Sequence, residues 1–367
     1  MFALILTLVG TLLHLYCAWR AGSLPWIRRR VGVRRWWLFA FVAWLAYVVG
    51  IGIGDHPVGP IATLLAQFAF HWLGVLFLLA ICLLAVDLVT GGGRLWARRT
   101  PLLRAGALAL GALLVVIALI QGHRAPVVTR HELMLADLPA ALDGTTLVAM
   151  SDLHLGTALG ADWLAARVAQ VRALAPDLIV LIGDLTEGEP PRASGFAEAL
   201  RGLQAPLGVW AVTGNHEFHG DTLATIALFE SAGVRWLRDR AIVVQPGLRL
   251  AGVDDLTRRA RNGTADPALL EDLAGAGGEA AVLLSHSPLH VEAAAQAGFD
   301  LMLSGHTHGG QIWPFGYLVR QRYPYFLGHY RVGAMHLLVG RGTGTWGPRM
   351  RLWQPGEILQ VTLRAGK

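Results

Sequence analysis

The chain has 367 residues, 54% of them hydrophobic and only 15% charged, with a mean hydropathy of +0.48. That balance excludes a disordered chain and argues against a purely soluble one. The net charge of +6 is unevenly placed: residues 1–121 carry ten Arg against Asp55 and Asp87 (+8), and residues 122–367 carry 21 basic and 23 acidic groups (−2). The polar two-thirds is therefore slightly acidic and without a basic stripe, which argues against a nucleic-acid partner.

In chain order, the first features are four apolar runs, Phe2–Trp19, Trp36–Gly54, Ala66–Val89 and Ala105–Gln121. Each approaches the ~20 residues that a helix needs to cross a bilayer. Cys17 and Cys82 lie inside these runs and read as small buried hydrophobes, not as a disulfide framework. His14, His71 and Asp87 are the strongly polar intrusions, and Asp87 sits at an expected helix end. The loop Arg20–Arg35 is rich in arginine, as is Thr90–Arg104, whereas Asp55–Leu65 has no Arg or Lys. The positive-inside rule then places the first and third loops in the cytoplasm and everything after Gln121 outside. No basic segment precedes the first run, so it reads as a retained anchor and not as a cleaved signal peptide.

From His123 the pattern changes. Short apolar runs predict strands at Thr146–Met150, Leu178–Ile182, Val209–Val212, Leu248–Val253, Ala281–Leu284, Leu301–Leu303, His336–Val339 and Ile358–Leu363. Ala-rich stretches predict helices at Ala161–Leu174, Gly195–Leu203, Thr222–Ala232, Pro267–Gly275 and Pro288–Ala297. This alternation predicts an α/β domain. The organisation expected is a transmembrane region over 1–121, a linker and first strand over 122–139, and a catalytic domain over 140–367.

Polar clusters follow five of these strands: Ser151-Asp152-Leu153-His154, Gly183-Asp184, Gly214-Asn215-His216-Glu217, Ser285-His286 and Gly305-His306-Thr307-His308. Ligands in α/β sheets bind beyond the carboxyl ends of strands. A strand that merely ends needs a turn residue, so packing explains such a set poorly. Asp152 and His154 are two apart, as are His306 and His308. In extended backbone each pair points one way and can grip one metal ion.

The order D-x-H, G-D, G-N-H-E, H, G-H-x-H resembles the calcineurin-like metallophosphoesterase superfamily over about residues 140–365. Leu138-Pro139, Leu142-Asp143-Gly144, Gly309-Gly310-Gln311 and Gly340-Arg341-Gly342-Thr343-Gly344 are similar to its bacterial YkuE/YaeI-like branch. The resemblance implies a four-layer α/β/β/α sandwich, here preceded by four transmembrane α-helices, around two divalent metal ions. It implies that Asp152, His154 and His308 hold the first ion, that Asp184 bridges, and that Asn215, His286 and His306 complete the second. His216 matches the family's non-ligand histidine, which protonates or stabilises the leaving oxygen, and Glu217 stands where it could orient His216. Imidazole and carboxylate donors suit Mn, Fe, Zn or Co better than Ca or Mg, with Mn favoured.

Other polar residues read as ordinary loop chemistry or as contributors. Asp254-Asp255 either faces the site or solvates a turn. His219 reads as a surface loop residue, and Glu187 and Glu189 as loop solvation beside Pro190-Pro191. The aromatic stretch Trp313–Tyr330, with Arg320 and Arg322, either packs over the site or faces lipid or substrate; Arg341 and Trp346 have the same two readings. The expected protein is a multi-pass enzyme of the bacterial cytoplasmic membrane with an extracytoplasmic catalytic domain. Its expected substrate is a phosphoester or pyrophosphate, favouring lipid-linked molecules. Two rivals are a UDP-2,3-diacylglucosamine pyrophosphatase-like enzyme, which requires a cytoplasmic site, and a non-catalytic membrane sensor or scaffold.

Overall fold

The computed structural model describes residues 2–54, 57–187, 195–262 and 268–366. Two compact units form: Met1–His123 with Gly347–Leu352, and Arg124–Trp346 with Trp353–Lys367.

The helical unit contains α1 (Phe2–Gly22), the short α2 (Pro25–Arg30), α3 (Val33–Ile53), α4 (Pro60–Val89) and α5 (Thr100–His123). Among the described residues, four of these (α1, α3, α4 and α5) are long and apolar enough to cross a membrane. The 30-residue α4 starts at Pro60 and not near Ala66, because proline is well tolerated in the first helical turn. His14 accepts a hydrogen bond from Trp72 Nε1 at 3.2 Å, and His71 Nδ1 meets the carbonyl of Gln67 one turn back at 2.7 Å.

Asp87 lies in the last turn of α4, as expected, and is buried. Its carboxylate meets Arg20 Nε at 2.6 Å and Arg104 at 2.9 Å, and it accepts from the Tyr16 hydroxyl at 2.7 Å. Two arginines expected in loops therefore lie in α1 and α5 and tie those helices to α4. Pairing of this kind is what lets a charge sit within apolar helices.

The second unit is built on two six-stranded sheets. The first runs β1 (Val127–Leu135), β12 (Glu357–Ala365), β2 (Thr146–Met150), β3 (Leu178–Ile182), β4 (Val209–Val212), β5 (Arg235–Trp236). The second runs β10 (Gly328–Val332), β11 (Met335–Val339), β9 (Leu301–Ser304), β8 (Ala280–Leu284), β7 (Leu248–Gly252), β6 (Arg240–Gln245). Side-chain alternation sorts each strand between two cores. Leu147 and Ala149 of β2 join Leu250, Val282 and Leu303 in the core between the sheets. Val148 and Met150 instead meet α6 (Ala161–Arg172), α7 (Phe196–Arg201) and α8 (Thr222–Glu230) through Leu164, Leu200 and Phe229. On the other side, Ala281 and Leu283 meet α9 (Leu256–Asn262), α10 (Ala268–Ala274) and α11 (Val291–Ala297) through Leu256, Leu273 and Ala294. The result is a four-layer α/β/β/α sandwich. Within it β2, β3, β4 and β5 run parallel, as do β7, β8, β9 and β11, so their carboxyl-end loops collect at one rim of each sheet.

Candidate metal centre

The loops after β2, β3, β4, β8 and β9 bring the sequence-singled residues together. Asp152, His154 and His308 place one ligand atom each within 4.8 Å of one another, and so do Asp184, His286 and His306. A third grouping, His154, Asp184 and His216, joins the two. Asp184 stands at the junction: Oδ1 accepts the N–H of His216 at 2.8 Å, while Oδ2 faces His286 Nε2 at 3.1 Å and His154 Nε2 at 3.9 Å. Asn215 precedes a 3-10 turn at His216–Phe218, and its Oδ1 is buried with no hydrogen-bond partner among the described residues.

The backbone departs from the extended alternation expected of D-x-H and H-x-H: Asp152 and His154 share a grouping, whereas His306 and His308 fall in different ones. Asp152, His154, Asp184, His306 and His308 all have positive φ, between 47° and 69°. Such conformations are uncommon for residues other than glycine, and they collect where surrounding structure forces side chains into a site. Neighbouring glycines supply the space. A Cβ on Gly214 would fall 2.2 Å from Asp184 Oδ1, and one on Gly342, itself at φ +74°, 2.9 Å from Asp152 Cβ.

The donor set fits divalent metal ions. His154 Nε2 lies 3.1 Å from His308 Nε2, and His286 Nε2 lies 3.2 Å from His306 Nδ1. Nitrogens that face each other at this spacing suit a shared cation with metal–nitrogen bonds of about 2.0–2.1 Å. The opposite ring nitrogens are held in place: His286 Nδ1 by the carbonyl of Ile182 at 2.8 Å, His306 Nε2 by the Tyr323 hydroxyl at 2.7 Å, and His154 Nδ1 by Glu187 at 2.8 Å. Such outer contacts fix tautomer and ring orientation in metal sites. Burial would raise the Asp184 carboxyl, but charge on His286 and His216 holds it well below the usual carboxylate range. Burial, together with charge on His286, pushes His306 down to about 3, the neutral form that a ligand needs. Burial alone would lower His216, yet Asp184 and Glu187 raise it to about 10.

Two glutamates depart from the roles expected of them. Glu217 does not orient His216. It is fully buried, and its oxygens accept the backbone N–H groups of Asp184 (2.9 Å), Leu185 (2.7 Å), Thr186 (3.1 Å) and Gly214 (2.6 Å). It thereby locks the β3 and β4 loops together. Glu187, expected to be loop solvation, holds His216 Nδ1 at 3.0 Å as well as His154. Glu189 lies outside the described residues. Glu217→Ala would strand these N–H groups at about 1–3 kcal/mol for each donor left unsatisfied. A large drop in the calorimetric unfolding temperature is expected, with Glu217→Gln intermediate.

The remaining residues divide by location. His219 is exposed but lies tilted against His216, with ring centroids 4.8 Å apart. Trp346 lies 6.3 Å from the His216 ring, and Gln311 fixes it by bonding both its N–H and its carbonyl at 2.9 Å. Asp255 is buried and accepts from Ser287 Oγ at 2.7 Å, while Asp254 pairs with Arg238 at 2.8 Å. Both brace loops. Arg341 pairs with Glu357 at 2.6 Å.

Comparison with known proteins agrees with this architecture. The profile of the calcineurin-like phosphoesterase family matches residues 145–310. An Aquifex aeolicus protein described as an uncharacterized metallophosphoesterase is 33% identical over 58% of this chain and 83% of its own length. A Danio rerio transmembrane protein with metallophosphoesterase domain is 35% identical over 70% of this chain. A Bacillus subtilis protein described as the uncharacterized metallophosphoesterase YkuE is 29% identical over 65% of this chain and 85% of its own length. The chain spans only 62% of the Danio rerio relative and 64% of a Bos taurus protein of the same description.

Proposed function

The chain belongs to the calcineurin-like metallophosphoesterase family, and from that premise we propose that it hydrolyses phosphoester or pyrophosphate bonds of lipid-linked or other cell-envelope substrates. The observation that carries this reading is the pair of His–carboxylate groupings, Asp152 with His154 and His308 and Asp184 with His286 and His306, joined through a third that contains His154 and Asp184. Asp152, His154 and His308 would hold one divalent ion. Asn215, His286 and His306 would hold the other, and Asp184 would lie between them. Imidazole nitrogen and carboxylate oxygen suit Mn, Fe, Zn or Co better than Ca or Mg, and manganese is the ion proposed among the four. Bound there, two divalent ions supply positive charge for the phosphate and a water nucleophile at neutral pH.

The chain's own groups do the rest. Glu187 holds Nδ1 of His216, which leaves Nε2 as the atom that can carry a proton to a leaving oxygen. Glu217 keeps the two loops bearing Asp184 and His216 in register. No Ser or Cys nucleophile is required. The soluble part is slightly acidic, so attraction of phosphate falls to the ions and not to the protein surface.

The lipid-linked substrate follows from tethering: four apolar helices hold the catalytic unit at a membrane, where headgroups are the local phosphates. The arginines between α1 and α3 and between α4 and α5 favour a cytoplasmic location for those loops and an extracytoplasmic catalytic unit. That orientation opposes a UDP-2,3-diacylglucosamine pyrophosphatase-like role. A C-terminal alkaline phosphatase fusion is expected to be active and a C-terminal green fluorescent protein fusion dark. The reverse pattern would reinstate the cytoplasmic reading. The purified Mn-loaded protein, assayed on phosphomonoesters, phosphodiesters and lipid pyrophosphates, is expected to turn over at least one class. Inertness across all of them would favour the sensor or scaffold reading.

A further inference from the structure

The second unit exposes its large aromatic side chains in one place. Among the described residues of that unit, the exposed large aromatics are Trp313 (40%), Phe315 (41%), Tyr317 (63%) and Trp353 (53%), joined by Leu318 (58%). Trp313 and Trp353 pack ring against ring at 5.0 Å, and Ile312 bridges to Trp353 through the backbone, so these residues form one patch. The patch is the amino-terminal end of α12 (Gly316–Arg322) and the turn before it, and exposed Arg320 and Arg322 follow on the same short helix. Scattered single exposed hydrophobics need no explanation, but a contiguous aromatic patch does.

Three observations select its occupant. Tryptophan and tyrosine beside aliphatic residues are the side chains that settle at the headgroup level of a bilayer. Arginines at the edge of such a patch suit anionic headgroups, whereas the unit as a whole is slightly acidic. Finally, Trp353 directly follows in sequence the segment Gly347–Leu352, which groups with the apolar helices, so the patch is tethered by the chain to the membrane-spanning unit.

We infer that Trp313, Phe315, Tyr317, Leu318 and Trp353 form a bilayer-docking surface that seats in the interfacial layer of the membrane carrying the helices. The surface begins five residues after His308, and Tyr323, at the carboxyl end of α12, holds His306 at 2.7 Å. Docking would thus present the metal centre to phosphates at headgroup depth. This deepens the lipid-linked reading but rests only on attachment of the chain to a membrane.

The test uses full-length protein in vesicles of phosphatidylcholine and phosphatidylglycerol at roughly 3:1, enough anionic lipid to give a surface potential. In a Cys17→Ala/Cys82→Ala background, Tyr317→Cys, and separately Leu318→Cys, receives an environment-sensitive fluorophore. Leu223→Cys, 72% exposed on α8, serves as the reference. The label at 317 or 318 is expected to emit at shorter wavelength than that at 223. It should be quenched several-fold more by nitroxide lipids and several-fold less by aqueous iodide. Labels at all three positions behaving alike would overturn the proposal. Shielding from iodide without lipid quenching would also overturn it, since the occupant would then be protein. Hydrolysis of a soluble nitrophenyl phosphoester by the same labelled samples reads the phosphoesterase activity separately, so loss of one result leaves the other interpretable.

Discussion

Asp184→Asn is expected to reduce turnover by roughly 10³-fold or more and to lower the metal content of the purified protein, while the fold is kept. The reasoning is geometric. Asp184 is the carboxylate of the His286–His306 grouping and of the grouping that joins it to His154, with Oδ2 at 3.1 Å from His286 and 3.9 Å from His154. Asparagine preserves the volume and an oxygen for the His216 N–H, which Oδ1 now accepts at 2.8 Å. It removes the negative charge and turns an amide N–H₂ toward imidazole nitrogens. Loss of a single preorganised charge contact at a reacting centre commonly costs about 10²–10³-fold, and a shared ligand affects two ions at once. Metal analysis should therefore show loss alongside activity, with a circular dichroism spectrum like that of the parent. Parental activity in Asp184→Asn would sink the dinuclear mechanism.

How much of this was legible in the sequence depended on how local the determining physics was. Strands β2, β3 and β4 could be bounded to the residue because they are buried on both faces and read as unbroken apolar runs. Strands β5, β6 and β10 escaped notice. The first has two residues, and the other two are sheet edges whose Arg, Gln, His and Tyr side chains dilute the apolar signal. The six residues Gly347–Leu352 are too short for any hydropathy signal to assign them to the helices. At the site, the clusters were recognisable because each follows its strand directly. Strand alternation predicts that Asp152 and His154 converge, and they do, but positive φ at both residues replaces the extended segment that alternation assumes. Glu217 misled because sequence adjacency to His216 says nothing about direction within a 3-10 turn, where its carboxylate points to backbone donors of the loop after β3 and to Gly214 of its own loop. Glu187 was missed for the complementary reason. Its partners sit 29 and 33 residues away, and only the meeting of three loops in space identifies it.

His216→Ala is expected to keep the bound metal and lose about 10²–10⁴-fold in turnover, the usual range for a positioned proton donor. The alternative is specific, because His216 Nε2 is 4.0 Å from Asp184 Oδ2 and belongs to a grouping that could hold an ion. Leaving-group dependence separates the two. If His216 donates a proton, the loss should be large for alkyl phosphoesters and small for nitrophenyl esters, whose leaving oxygen needs no protonation. If His216 is a ligand, both substrates should suffer alike and metal content should fall. Glu187→Gln should act through His216 and cost less, about 10–100-fold, as for other contacts that orient a working side chain. Glu187 also holds the ligand His154 at 2.8 Å, so the variant must be assayed at saturating metal to isolate its effect on His216. Under that condition, adding Glu187→Gln to His216→Ala should cost almost nothing further. A full additional loss in the double variant would mean that Glu187 serves His154 and the metal, and that His216 works without it.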